Sequence, residues 1–269
     1  MSDASPARGM SELTLRTLVG VALIAVAAIA LWAGGIVFWF LTVVIALLMM
    51  AEWSDLFAAP AKTKRLAQLS LSVPLAIMCP LAAGPGFFAL GLLIGAAFFI
   101  VIVSQRPPLA LGTIYAGLPV LSLLLIRHQQ DGIVFVFWTM ALVWVTDIGA
   151  YFAGRAIGGP KLAPAISPNK TWAGLGGGVV LAGLFGIAMH AAYGLPLRLT
   201  LASPLLAVVA QGGDLYESWL KRRAGVKDSG NILPGHGGVL DRLDGLVPVA
   251  PIAAALVVVL PKLYSLIGW

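Results

Sequence analysis

The chain has 269 residues, 60% of them hydrophobic and 10% charged, against roughly 45–50% apolar and about 25% charged in an ordinary soluble domain. Its 17 Lys+Arg and 11 Asp+Glu are too few to cover a water-soluble globule of this size, so the apolar residues must face lipid. The lone cysteine, Cys79, excludes a disulfide framework and a Cys-based zinc site, and the net charge of +6 reads as membrane topology, because no soluble basic domain presents it to nucleic acid.

A bilayer-spanning helix needs about 20 mostly apolar residues. Nine stretches fit, at 15–32, 36–51, 69–83, 87–104, 109–126, 132–152, 173–193, 200–216 and 246–266, and the third, eighth and ninth carry prolines that can kink them. The first, behind Arg8 and Arg16, is too long for the apolar core of a signal peptide and reads as a retained helix. With the N-terminus in the cytoplasm, 14 of the 17 Lys/Arg fall inside and only Arg127, Arg198 and Lys262 outside. The sequence therefore predicts an all-α polytopic membrane protein of nine helices, N-terminus inside and C-terminus outside. Helices 1–5 occupy residues 1–126; helices 6–9 occupy 127–269, with long cytoplasmic loops at 153–172 and 217–245 where chemistry is expected.

Asp147 lies toward the end of an apolar span. A carboxylate at membrane depth costs about 2.5–3.5 kcal/mol on insertion scales, so it faces a cavity or cation, or else caps or snorkels at the interface. In the next loop, Lys170 reads as a phosphate ligand or a topology charge, Arg155 equally as either, and Ser167 or Thr171 as the cap of the seventh helix. Gly174-Leu175-Gly176-Gly177-Gly178 opens a membrane helix and follows no strand, so it predicts close helix packing rather than dinucleotide binding. His128 and His190 have no metal-ligand spacing.

Asp3, Glu12, Glu52, Asp55 and Asp131 read as terminal or interfacial. Of the six remaining acidic residues, Asp147, Asp214, Glu217, Asp228, Asp241 and Asp244, five lie between 214 and 244. The same interval holds Lys221, Arg222, Arg223, Lys227, His236 and Arg242. Asp214, Glu217, Ser218 and Lys221 are spaced i, i+3, i+4, i+7 and share one helix face, and Asp241 and Asp244 share another if a helix begins near Val239. Between them, Gly235-His236-Gly237-Gly238 lets backbone N–H groups approach a phosphate. Carboxylates for a hard cation beside cations for phosphate are the parts that phosphoryl or nucleotidyl transfer requires.

The run from Ser218 to Asp244 reads serine, two residues, Lys-Arg, four residues, Lys-Asp, then Pro-Gly-His-Gly-Gly, two residues, Asp-Arg, one residue, Asp. It resembles the signature of the phosphatidate cytidylyltransferases (CDP-diacylglycerol synthases), and Val145–Arg155 and Ser167–Trp172 fit the same resemblance. Two positions depart from the family pattern: Thr146 stands where an asparagine is usual, and Ala173 where a glutamate is usual. The resemblance implies that CTP and phosphatidic acid are converted to CDP-diacylglycerol and pyrophosphate at the cytoplasmic face of the inner (plasma) membrane. It also implies Mg²⁺, a monovalent cation such as K⁺, and a homodimer. By similarity, Asp214 and Asp241 are metal ligands, followed by Asp244 and Glu217. The catalytic set is Asp214, Lys221, Asp241 and Asp244. Substrate binding falls to Asp147, Lys170, Ser218, Arg222, Lys227, Asp228, His236, Gly237 and Arg242, with His236 a hydrogen-bond donor to phosphate. Competing readings are a secondary transporter of an anionic solute, which would place its charges near the midplane, and a related membrane lipid kinase.

Overall fold

The computed structural model describes residues 12–233, 235 and 237–261. Each apolar stretch finds a helix. They are α1 (Glu12–Ala33), α2 (Gly35–Leu56), α3 (Ala61–Ile77), α4 (Phe87–Ser104), α5 (Pro107–Arg127), α6 (Gly132–Ile157), α7 (Trp172–Tyr193) and α8 (Leu197–Arg223), then a four-residue α9 (Leu240–Leu243) and α10 (Leu246–Ala254), which runs on into a π-helical turn at Ala255–Val259. Among the described residues five helices, α2, α4, α5, α6 and α7, are long and apolar enough to cross a membrane. The protein is thus an integral membrane helical protein.

Several expected boundaries move. The third helix begins at Ala61 rather than 69, because Lys62, Lys64 and Arg65 continue its first turns beyond the apolar stretch, and it stops at Ile77, before Pro80 and Gly84. The two long loops start inside helices, since α6 runs to Ile157 and α8 to Arg223. The fold is also not wholly helical. Strands β1 (Lys161–Ala163) and β2 (Ser167–Thr171) form an antiparallel hairpin between α6 and α7. Thr171 ends β2 and caps α7, its Oγ1 accepting from the Gly174 N–H at 3.0 Å.

In lipid, helices associate by close packing and interhelical hydrogen bonds rather than by hydrophobic exclusion. The α6–α7 pair uses the glycine run as expected: a Cβ on Gly149 would lie 2.7 Å from the Gly177 carbonyl oxygen, and one on Gly178 would lie 2.9 Å from that of Thr146. Tryptophans tie other pairs together. Trp53 Nε1 donates to the Pro108 carbonyl (2.8 Å) between α2 and α5, and Trp138 Nε1 donates to Ser203 Oγ (3.0 Å) between α6 and α8. Phe40, Phe98, Val180 and Leu201 remain exposed on helix faces, as lipid-facing side chains must.

Candidate active site

The last turns of α8 carry Gln211, Asp214, Ser218 and Lys221 along one face. From β2, Lys170 reaches this face and places Nζ 2.5 Å from Asp214 Oδ2 and 3.0 Å from Gln211 Oε1. Gln211 in turn donates through Nε2 to Asp147 Oδ1 on α6 at 3.0 Å, and Ser218 Oγ donates to Asp214 Oδ1 at 3.2 Å. Asp147 therefore faces a polar partner and a cleft, not lipid. The cleft, about 660 Å³, is lined by Asp147, Arg155, Asn169, Lys170, Gln211 and Asp214, a size that suits a small-molecule ligand.

One turn further along α8, Lys221 Nζ lies 3.3 Å from Glu217 Oε1 and 2.6 Å from Asp241 Oδ1. Asp241 Oδ2 accepts from Ser229 N (2.9 Å), Ser229 Oγ (3.0 Å) and Gly238 N (2.8 Å), so this carboxylate ties Ser229 and Gly238 to the start of α9. The turn between them is closed by a Leu233–Gly237 bridge and needs the left-handed backbone of Gly237, φ +78°. Asp244 meets the α8 face because Gly213 packs directly against the Asp244 backbone, where a side chain would collide with the Asp244 carbonyl and Pro248.

Electrostatics separate the two aspartates of this segment. Burial works against the charge on Asp241, but the Lys221 ammonium and the Gly238 and Ser229 N–H groups outweigh it and hold the carboxyl below its ordinary value. Asp244 is pushed up to about 7, first by burial and then by the negative charge of Asp214. Glu217 is 1% exposed, and neither carboxylate oxygen has a hydrogen-bond partner; the Lys221 ion pair is its compensation. Among the described residues no group of three or more His, Cys, Asp or Glu is arranged to hold a metal ion; Lys170 occupies Asp214, and Lys221 occupies Glu217 and Asp241. The donor chemistry fits a hard divalent cation: the buried Glu217 carboxylate, held by an ion pair and no hydrogen bond, lies close to Asp244, which accepts from the Gly245 N–H.

The model of the Cytidylyltransferase family matches residues 14–260. The chain belongs to this family. It is 41% identical over 254 residues to the phosphatidate cytidylyltransferase of Brucella suis, covering 90% of this chain and 92% of that one. It is 45% identical over 147 residues to the Bacillus subtilis protein of the same name, covering 53% and 55%. To the Rickettsia conorii phosphatidate cytidylyltransferase it is 33% identical over 205 residues, covering 71% and 87%.

In this cytidylyltransferase the structure brings the expected residues together as two neighbouring networks along α8, Asp147, Lys170, Asp214 and Ser218 in one and Glu217, Lys221 and Asp241 in the other, with Asp244 close enough to feel the charges of both. Other expected site residues stand at its edge. Arg222 is exposed and donates to the Val226 carbonyl at 3.1 Å; Lys227, Asp228 and Arg242 are exposed; Gly237 borders Asp228 and Asp241. His236 lies outside the described residues. Thr146 is fully buried and donates to the Leu142 carbonyl at 2.7 Å, so the departure from asparagine sits inside the helix pair rather than in the cleft. Three residues absent from the sequence expectation belong to the network: Gln211, Ser229 and Glu52. Gln211 had a signal, a polar side chain three residues before Asp214 in an apolar span. Glu52 had none beyond a carboxylate ending an apolar helix.

Proposed function

We propose that the protein is an integral-membrane phosphatidate cytidylyltransferase, converting CTP and phosphatidic acid to CDP-diacylglycerol and pyrophosphate. The observation that carries the reading is the cluster itself. Two lysines from separate elements are paired with carboxylates beside the end of α8, Lys170 with half-buried Asp214 and Lys221 with Glu217 and Asp241, in a chain 41% identical to a protein named for that activity. The proposed topology is nine spanning helices with the N-terminus and the cluster on the cytoplasmic side of the inner membrane. That arrangement is supported by the 14-to-3 distribution of Lys and Arg. A homodimer is proposed with it.

In the proposed mechanism a phosphatidate phosphate oxygen attacks the α-phosphorus of CTP in line. The new P–O bond forms as the bond to the β-phosphate oxygen breaks and pyrophosphate leaves. The nucleophile is already ionised at neutral pH, so positioning and charge stabilisation carry the acceleration. Lys170 neutralises phosphate oxygens inside the cleft, and Lys221, Arg222, Lys227 and Arg242 do so beyond it, with Ser218, Asp228, His236 and Gly237 orienting the substrates. Asp214 and Asp241, with Asp244 and Glu217 next, are the residues proposed to hold Mg²⁺, Asp147 is proposed to contact substrate, and a monovalent cation such as K⁺ is proposed to act beside Mg²⁺. Mg²⁺, when bound, neutralises the developing charge on the triphosphate.

The test is an assay of purified protein in detergent micelles with radiolabelled CTP, phosphatidate and Mg²⁺. Label should enter the lipid-soluble fraction only with all three present, and not with ATP in place of CTP. Absence of product from monodisperse, metal-supplied protein overturns the reading and sends the protein to uptake assays in liposomes. The transporter alternative is disfavoured by the gathering of charge at one end of the bundle.

A further inference from the structure

We infer that Glu52, at the end of α2, is a positioning residue for this reaction: its carboxylate pins the segment that carries Asp241 and Asp244 against the N-terminal half of the bundle. The inference rests on the cytidylyltransferase reading above. Glu52 is 2% exposed, and burying a carboxylate is costly unless donors compensate it. The donors come from far along the chain. Oε1 accepts from the Val239 N–H at 2.9 Å, Oε2 from the Leu240 N–H at 2.8 Å, and Oε2 also lies 3.2 Å from Ser229 Oγ.

These are the groups that flank the Asp241 contacts. The Gly238 N–H goes to Asp241 and the next two N–H groups go to Glu52; the Ser229 hydroxyl lies between the two carboxylates, 3.0 Å from Asp241 Oδ2. A hydroxyl has one proton to donate, so Glu52 and Asp241 share it. The approach is also closed to side chains: a Cβ on Gly230 would lie 2.6 Å from Glu52 Oε1, and one on Gly238 would lie 2.7 Å from Oε2. Glu52 thus sets where α9 begins. Through α9 it sets the orientation of Asp241 toward Lys221 and of Asp244 toward the α8 face, without reaching Lys221 or the cleft itself.

The test compares wild type, Glu52→Gln and Ser229→Ala in the micelle assay, with amide hydrogen exchange on the same preparations. Glu52→Gln keeps the shape but replaces one acceptor oxygen with an NH₂ that opposes a backbone N–H. It should lower kcat on the order of 10²-fold, with KM for CTP and phosphatidate changed less than about threefold, and should speed exchange at Val239 and Leu240 while the middle of α6 and α8 stays protected. Ser229→Ala, which removes only the shared hydroxyl, should show the same pattern more weakly and serves if Glu52→Gln does not fold. Turnover within about twofold of wild type in the folded variants overturns the inference, as does a kcat loss matched by a general loss of protection. If wild type makes no product, the functional reading fails, and the local exchange at Val239 and Leu240 still decides whether Glu52 pins the segment.

Discussion

Lys221 holds two carboxylates at once, and that divides the consequences of changing it from those of changing its partners. Lys221→Ala leaves Glu217 and Asp241 buried beside each other without a cation, a loss of the kind that costs about 3–5 kcal/mol when one partner of a buried pair is removed. We expect a lower thermal midpoint in detergent together with weaker use of CTP or phosphatidate; unchanged apparent affinity for both substrates would remove Lys221 from the phosphate contacts. Asp241→Asn is milder for the fold, because Lys221 keeps Glu217 and the amide still accepts from Gly238 or Ser229. It should reduce turnover at least 10²-fold, the scale of losing one preorganised electrostatic group, while the protein stays inserted and monodisperse. Near-normal turnover in that variant would sink the assignment of Asp241 to the site. The spacing of Asp214, Glu217, Ser218 and Lys221 was legible as one helix face, since periodicity is local. Which lysine pairs with which carboxylate was not, because Lys170 arrives on a strand some forty residues upstream and Asp241 on a separate short helix.

At the scale of elements, the α6–α7 pair is the scaffold that aims Asp147 and presents the hairpin bearing Lys170. Its backbones touch through Gly149, Gly174, Gly177 and Gly178, so the pair has no room for side chains there. Gly177→Val should force the helices apart at Ala153 and Gly149, costing about 1–3 kcal/mol by overpacking. The readout is the thermal unfolding midpoint in detergent, and an unchanged midpoint would show that the glycines are not needed for contact. The sequence pointed to this packing because small residues at a helix start are read directly. It did not reveal β1 and β2: Lys161–Thr171 is polar, short and proline-bearing, and its strands exist through mutual pairing rather than through any apolar alternation. Nor did it show α6 and α8 continuing as far as Ile157 and Arg223, since hydropathy marks where the lipid ends and not where the backbone hydrogen bonding stops.

For the molecule as a whole, the distribution of Lys and Arg predicts which side each turn occupies. In a Cys79→Ser background, a cysteine at exposed Ala83, between α3 and α4, should react with a membrane-impermeant maleimide on intact cells. One at exposed Ala224, just after α8, should react only after permeabilisation; the reverse pattern would invert the topology. The sequence by itself determined the membrane character of the protein, the order of its helices, the family resemblance and the concentration of carboxylates and cations near the C-terminus. Composition, apolar run length and short-range spacing are properties of neighbouring residues and survive without a fold. Only the tertiary structure decided that Glu52 belongs with Val239 and Leu240, that Gln211 links Asp147 to Lys170, and that Asp244 meets the α8 face at Gly213. Each of these joins residues 30 or more positions apart, and a buried carboxylate or amide finds its donors by the packing of whole helices, which no local pattern encodes.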